Sequence, residues 1–137
     1  MPYKVLLVMS PPRRSRLLPF LEGEDLVMDW VVGFQDAVQK LREVNLYDLL
    51  LVNAELADGS WRNLLLFVQN SGLSCEMIIC SRLADQQLWA EVIQCGAYDL
   101  IAEPFEGHEI MRIIHSAMEG RYMKRFTRSA ALAPPAT

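Results

Sequence analysis

Four short apolar runs, none broken by polar alternation, constrain this chain more than any other feature. Lys4–Met9 reads KVLLVM and stops at Pro11-Pro12. Leu49–Val52 follows Tyr47-Asp48, Met77–Cys80 is the third run, and Leu100-Ile101 is a shorter fourth. A weaker run, Leu26–Val32, lies between the first two. A strand with no polar face must be covered on both sides, as in a parallel sheet held between layers of helix.

Helical spacing fills the intervals. Pro12–Leu21 opens with proline near the first helical position, and Pro19 is expected to kink or shorten it. Phe34, Ala37, Val38 and Leu41 lie on one helical face. Leu64, Leu65, Phe67 and Val68 follow a start at Asp58-Gly59-Ser60 and run to an end near Gly72. Leu88–Cys95 stops at Gly96, a residue suited to the left-handed position after a helix. Glu109 to about Arg125 is the last helix. Strand and helix alternate five times, so right-handed crossovers predict an α/β, flavodoxin-like, doubly wound sheet. It has five parallel strands in the order 2-1-3-4-5, with helices on both faces.

With 137 residues, 52% of them hydrophobic, the chain is long enough for one domain with a substantial core. We expect it to span 1–128, with 129–137 a flexible tail or the start of a linker around Pro134-Pro135. No apolar run approaches the ~20 residues of a membrane span, and the amino terminus lacks the layout of a signal peptide. The expectation is a cytoplasmic protein that does not bind membranes. Cys75, Cys80 and Cys95 have no C-x-x-C spacing, and His108 and His115 lie seven apart without companion ligands, so neither a metal site nor a disulfide framework is expected. The net charge of −4 gives no general attraction to nucleic acid. The local basic clusters, Arg13, Arg14 and Arg16 near the start and Arg121, Lys124, Arg125 and Arg128 near the end, read as solvated helix faces.

In open parallel sheets, function gathers at the carboxyl ends of the strands. The segments that reach those ends are KVLLVMSPP, YDLLLVNAEL, MIICS and GAYDLIAEPF. In order and spacing they resemble the response-regulator receiver domain of two-component signalling, over roughly Lys4 to Met118. The resemblance implies a Mg²⁺-binding acidic pair after the first strand, a phosphoacceptor Asp after the third, a Ser or Thr after the fourth, and Lys-Pro-Phe after the fifth. This chain has Met9 and Ser10 at the acidic pair, Asn53 at the acceptor, Ser81 kept, and Glu103-Pro104-Phe105 in place of Lys-Pro-Phe. Leu100 stands at the aromatic switch position of the fifth strand. A hard dication needs anionic oxygen, and an amide is not a carboxylate nucleophile. The pattern therefore implies a degenerate pseudo-receiver with no catalytic residues, no bound metal and no cofactor. The expected pocket is a closed polar cluster of nominal charge −1, with Glu103 satisfied by Ser10, Asn53 or Ser81 and with Glu55 a solvated acid on the rim.

A domain without phosphorylation still has surfaces with which to bind. Leu88, Trp89 and Val92 of the fourth helix, with Leu100, form the candidate interface. Trp and Leu at helical spacing also describe core packing, so both readings stand. Trp61 is a weaker interface candidate, and Trp30 is expected to be packing. The resemblance implies pairing through the fourth helix, fifth strand and fifth helix. The partner would be a second copy, a fused output domain or another signalling protein. The alternative is a small-ligand-binding module that uses the pocket at the strand ends. No nucleophile–base pair or glycine-rich phosphate loop supports an enzyme.

Overall fold

The computed structural model describes residues 2–43 and 46–132, the side chains of 121–132 excepted. The elements run β1 (Tyr3–Val8), α1 (Pro11–Leu21), β2 (Leu26–Val31), α2 (Phe34–Glu43), β3 (Leu49–Asn53), β4 (Glu55–Leu56) and β5 (Gly59–Ser60). They continue α3 (Trp61–Asn70), β6 (Glu76–Ser81), α4 (Gln86–Cys95), β7 (Asp99–Ala102) and α5 (Gly107–Leu132). Five strands form one parallel sheet in the order β2-β1-β3-β6-β7. Counting sheet strands alone, this is the predicted 2-1-3-4-5 winding of the flavodoxin-like fold. Pairing is in register along the buried strands, Leu50 beside Leu6 on one side and Met77 on the other.

The unbroken apolar strands are covered twice, as their composition requires. On one face Leu6, Val8, Leu50, Val52, Met77, Ile79 and Leu100 pack with side chains of α2, α3 and α4. On the other face Val5, Leu7, Leu49, Leu51, Ile78 and Ile101 pack with Leu17 and Leu21 of α1 and with Ile110, Ile113 and Ile114 of α5. Successive strand residues alternate between the two layers, so each strand stitches both together.

Local signals set the helix ends. Ser60 and Asn63 form a capping box at α3, and Asp85 Oδ1 accepts from Leu88 N at 2.8 Å to cap α4. Gly96 ends α4 with φ 101°, as its position predicted. The start of α2 is capped from a distance. Asp58 accepts from Phe34 N at 2.7 Å and from Gln35 N at 3.0 Å, and these bonds hold its carboxyl below the usual Asp range. A Cβ at Gly33 would lie 2.6 Å from Asp58 Oδ1, so this approach requires glycine.

Three local features depart from expectation. The β4–β5 hairpin, closed by Ala57-Asp58, is too short for a periodic signal. Pro19 sits exposed inside α1 near its end, and the helix still reaches Leu21 because Leu17 and Leu21 are anchored in the core. The last helix continues past Arg125 to Leu132, so 129–132 are helical, while the rest of the expected tail, 133–137, lies outside the described residues. Among the described residues, no helix is long and apolar enough to cross a membrane.

Candidate functional site

The carboxyl ends of β1, β3, β6 and β7 meet in one polar corner, and the residue that organises it is Arg13. Pro11 and Pro12 occupy the start of α1, which places Arg13 in its first turn above the sheet. A cation there opposes the helix dipole, so its position needs another source of stability. Glu103 supplies it: Arg13 Nη1 lies 2.6 Å from Glu103 Oε2, and the two side chains are only 15% and 6% exposed. The same nitrogen donates to Asn53 Oδ1 at 3.2 Å. Asn53 Nδ2 in turn donates to the Glu55 carbonyl at 3.0 Å. Charge-assisted bonds of this kind are stronger than neutral ones, and the pair leaves neither charge buried alone.

The other expected pocket residues take different places. Ser81 is buried, and its Oγ accepts from Leu83 N at 3.0 Å, which shapes the loop after β6. Ser10 precedes α1 and makes no side-chain cap bond. Met9 is not a pocket residue: it lies in the α1–α5 core, because strand alternation turns it inward with Val5 and Leu7. Thus the corner is a closed polar cluster, but its partner scheme needs correction. Glu103 is satisfied by Arg13 rather than by Ser10, Asn53 or Ser81, and the pair is neutral rather than −1. Arg13 also leaves the solvated face to which its cluster was assigned. Sequence reasoning missed it because α1 and β7 are far apart in the chain. The available signal was a cation in the first turn of a helix, directly above the strand ends.

Outside the ion pair, a cavity of about 340 Å³ is lined by Arg13, Asn53, Glu55, Ser81, Arg82 and Leu83. Glu55 is exposed on its rim, as expected, with Arg82 also exposed. Beneath the cluster, Cys80 is fully buried. Burial pushes its thiol up to about 12, helped by the nearby Glu103 charge and opposed by Arg13, so the thiol is unreactive. Among the described residues, no group of three or more His, Cys, Asp or Glu could hold a metal ion. The donor set also does not fit Mg²⁺, since Glu103, the carboxylate in the cluster, is already paired with a guanidinium.

The candidate interface divides. Trp89 is 51% exposed on α4, and its Nε1 donates to Asp99 Oδ1 at 3.2 Å. It borders an open groove with Ala84, Gln86, Leu100, Ala102 and Glu109. Val92 on α4 and Leu100 on β7 belong instead to the core between that helix and the sheet, and Leu100, 8% exposed, reaches only the floor of the groove. Leu88 is half-buried against the same core. The other tryptophans exchange their expected roles. Trp61 is 1% exposed under α3, whereas Trp30 is 52% exposed on the edge strand with the Arg14 guanidinium 4.5 Å from its ring centre. His108 and His115 are exposed, as expected; Cys75 is half-buried and Cys95 exposed.

The sequence matches no protein-family model and no curated protein. Solved structures match along nearly its whole length. The signal receiver domain of a protein assigned as a Luxo repressor from Vibrio parahaemolyticus superposes with a TM-score of 0.83 at 20% identity, covering 93% of this chain and 98% of its own. A CheY-like response regulator receiver domain protein from Methanospirillum hungatei gives 0.78 at 16%, covering 90% and 99%. The beryllofluoride-activated NtrC4 receiver domain dimer gives 0.78 at 22%, covering 86% and 98%. At these identities the likeness is one of fold, and the fold is that of response-regulator receiver domains.

Proposed function

We propose that this chain is a pseudo-receiver: a receiver-like domain that transmits a signal through protein contacts and not through aspartyl phosphorylation. The observation that carries this reading is the Arg13–Glu103 pair. It seals the corner where a receiver would need free carboxylates, a metal and a lysine. The degenerate positions are then Met9, Ser10, Asn53, Ser81 and Glu103. Asn53 offers an amide to Arg13 in place of a nucleophilic carboxylate. No catalytic role is assigned, and the working compartment in this reading is the cytoplasm.

The working surface in this reading is the face formed by α4, β7 and α5, with Trp89 as its anchor. Exposed tryptophan is a frequent hot-spot residue, and here one ring edge is held by Asp99 while the rest faces solvent. The partner is a protein, a fused output domain or a second copy. Incubation with Mg²⁺ and acetyl phosphate followed by intact mass measurement tests the reading directly. Unchanged mass is expected, and a hydroxylamine-sensitive adduct would overturn it.

A second reading is favoured by the 340 Å³ cavity, whose rim sets Glu55 opposite in charge to Arg82. In it the strand ends hold a small polar ligand. A thermal-shift screen separates the two, since a ligand bound only by the folded state raises the melting temperature by mass action.

A further inference from the structure

The sheet has two edges, β7 and β2. Among the described residues β2 is bonded to β1 alone, and it reads Leu26-Val27-Met28-Asp29-Trp30-Val31. Natural edge strands are blunted by lysine, proline, bulges or covering segments. This one has no proline and no lysine, and Val27 and Trp30 are exposed on it. We propose that β2 is a self-association edge, at which a second copy of this chain adds its own β2 antiparallel to the first.

Backbone direction fixes which residues can pair. Tyr3 N donates to the Asp25 carbonyl and Met9 N to the Val31 carbonyl, so odd-numbered residues of β2 turn their polar groups toward β1. By alternation, Leu26, Met28 and Trp30 turn theirs outward. The Leu26 N–H is taken locally by the Glu24 carbonyl at 2.8 Å. The outward set is therefore the N–H groups of Met28 and Trp30 and the carbonyls of Leu26, Met28 and Trp30.

Two antiparallel registers satisfy this alternation with the two-fold axis at the middle of the strand. One places Asp29 directly opposite the partner's Asp29, and like charges so placed repel. The other centres the two-fold axis on Met28. Met28 then exchanges both bonds with the partner's Met28, and Trp30 N–H donates to the carbonyl of the partner's Leu26. Leu26 and Met28 pack on the α1–α5 layer, and Trp30 faces Arg14 of α1, so all three side chains share that face. The chosen register continues this face across the axis as one apolar row.

Charge agrees with the same register. The turn leading into β2 carries the exposed carboxylates of Glu22, Glu24 and Asp25, with Glu24 3.6 Å from His115. The far end of β2 carries Arg14, held over Trp30. Antiparallel pairing brings each acidic turn beside the other copy's Arg14. Two six-residue strands bury less than the ~1,200 Å² of a standard interface, so the dimer is weak and concentration-dependent.

Sedimentation velocity over a wide range of protein concentration tests this. Trp30→Pro removes an outward N–H without touching the β1 ladder, as proline on an edge strand allows. It should leave the chain folded and abolish the dimer. Arg14→Glu or Glu24→Arg should each weaken association about tenfold, the contact occurring twice, and the double variant should recover most of the loss. The charge variants keep the test valid if Trp30→Pro fails to fold. A chain that stays monomeric at every concentration overturns the proposal. So does a dimer that is lost in Trp89→Ala but indifferent to both edge changes, and that second outcome leaves the α4-face reading intact.

Discussion

The two sides of β7 are built on opposite principles. Toward α1, Glu103 is withdrawn from water and neutralised by Arg13, which also donates to Asn53, so the charged groups of the cluster have partners inside the domain. Toward α4, Trp89 leaves half its surface in water although Val92, three residues on, is fully buried. A site that does chemistry on a ligand keeps charges available, and a site that binds a protein keeps apolar surface available. In this chain the charges of the first side are paired with each other, and Trp89 on the second is exposed.

The sharpest way to break that contrast is to truncate tryptophans on either side of it. Trp61→Ala empties a core position under α3 and should cost ~3–5 kcal/mol of folding stability by denaturant melt. Trp89→Ala should cost less than ~1 kcal/mol and instead weaken binding of a partner at α4, where hot-spot truncations cost at least ~2 kcal/mol. Similar folding losses in the two variants would make Trp89 a core residue and remove the proposed face.

The ion pair offers the next largest effect. Arg13→Ala leaves a carboxylate buried without a partner, and removing one member of a buried pair costs ~3–5 kcal/mol. The low end is expected here, because 15% of the arginine side chain already reaches solvent. Glu103→Gln should cost less, ~1–2 kcal/mol, because Arg13 can turn outward to water while the amide keeps a hydrogen-bonding oxygen. Equal losses would mean that the two charges are equally confined.

Asn53→Asp is smaller again. The new carboxylate lies near that of Glu103, and Arg13 is there to share between them. The remaining penalty comes from Nδ2: an oxygen in its place faces the Glu55 carbonyl without a proton between them. We expect a loss on the order of 1 kcal/mol by thermal melt and no gain of phosphorylation. A variant that melts higher and accepts phosphate would reopen the corner as a phosphorylation site.

The smallest expected effect is a pH dependence from a cap distant from both sites. Backbone bonds from Gln35 and Phe34 hold the Asp58 carboxyl below its ordinary value of 3.8. A carboxylate lowered on folding stabilises above that value, and the contribution fades as pH falls through the depressed range. Asp58→Ala should therefore lower the melting temperature slightly at neutral pH and converge with the parent chain in strong acid. A difference that persists unchanged into acid would refute the electrostatic origin.

Much of the fold was legible in the chain. Four apolar runs free of alternation, with the weaker run at Leu26–Val32, gave the five sheet strands, because burial on both faces is a property of each short segment. Their order followed from right-handed crossovers and the flavodoxin-like winding. Ser60 and Gly96 marked helix ends for equally local reasons. The candidate site was legible only in part. Asn53, Ser81 and Glu103 were placed at the strand ends by topology, but the Met9 side chain was placed there wrongly, since position along the strand does not tell which layer receives it.

What the sequence determined by itself was the set of elements, through periodicities that act over a few residues. What only the tertiary structure decided was pairing and exposure. Arg13 meets Glu103 because α1 begins above the end of β7, ninety residues later in the chain. Trp30, Trp61 and Trp89 look alike in sequence, yet one caps an edge strand, one fills the core and one borders a groove. Such outcomes depend on which layer covers each side chain, and that is fixed only when the sheet winds and the helices settle on its two faces.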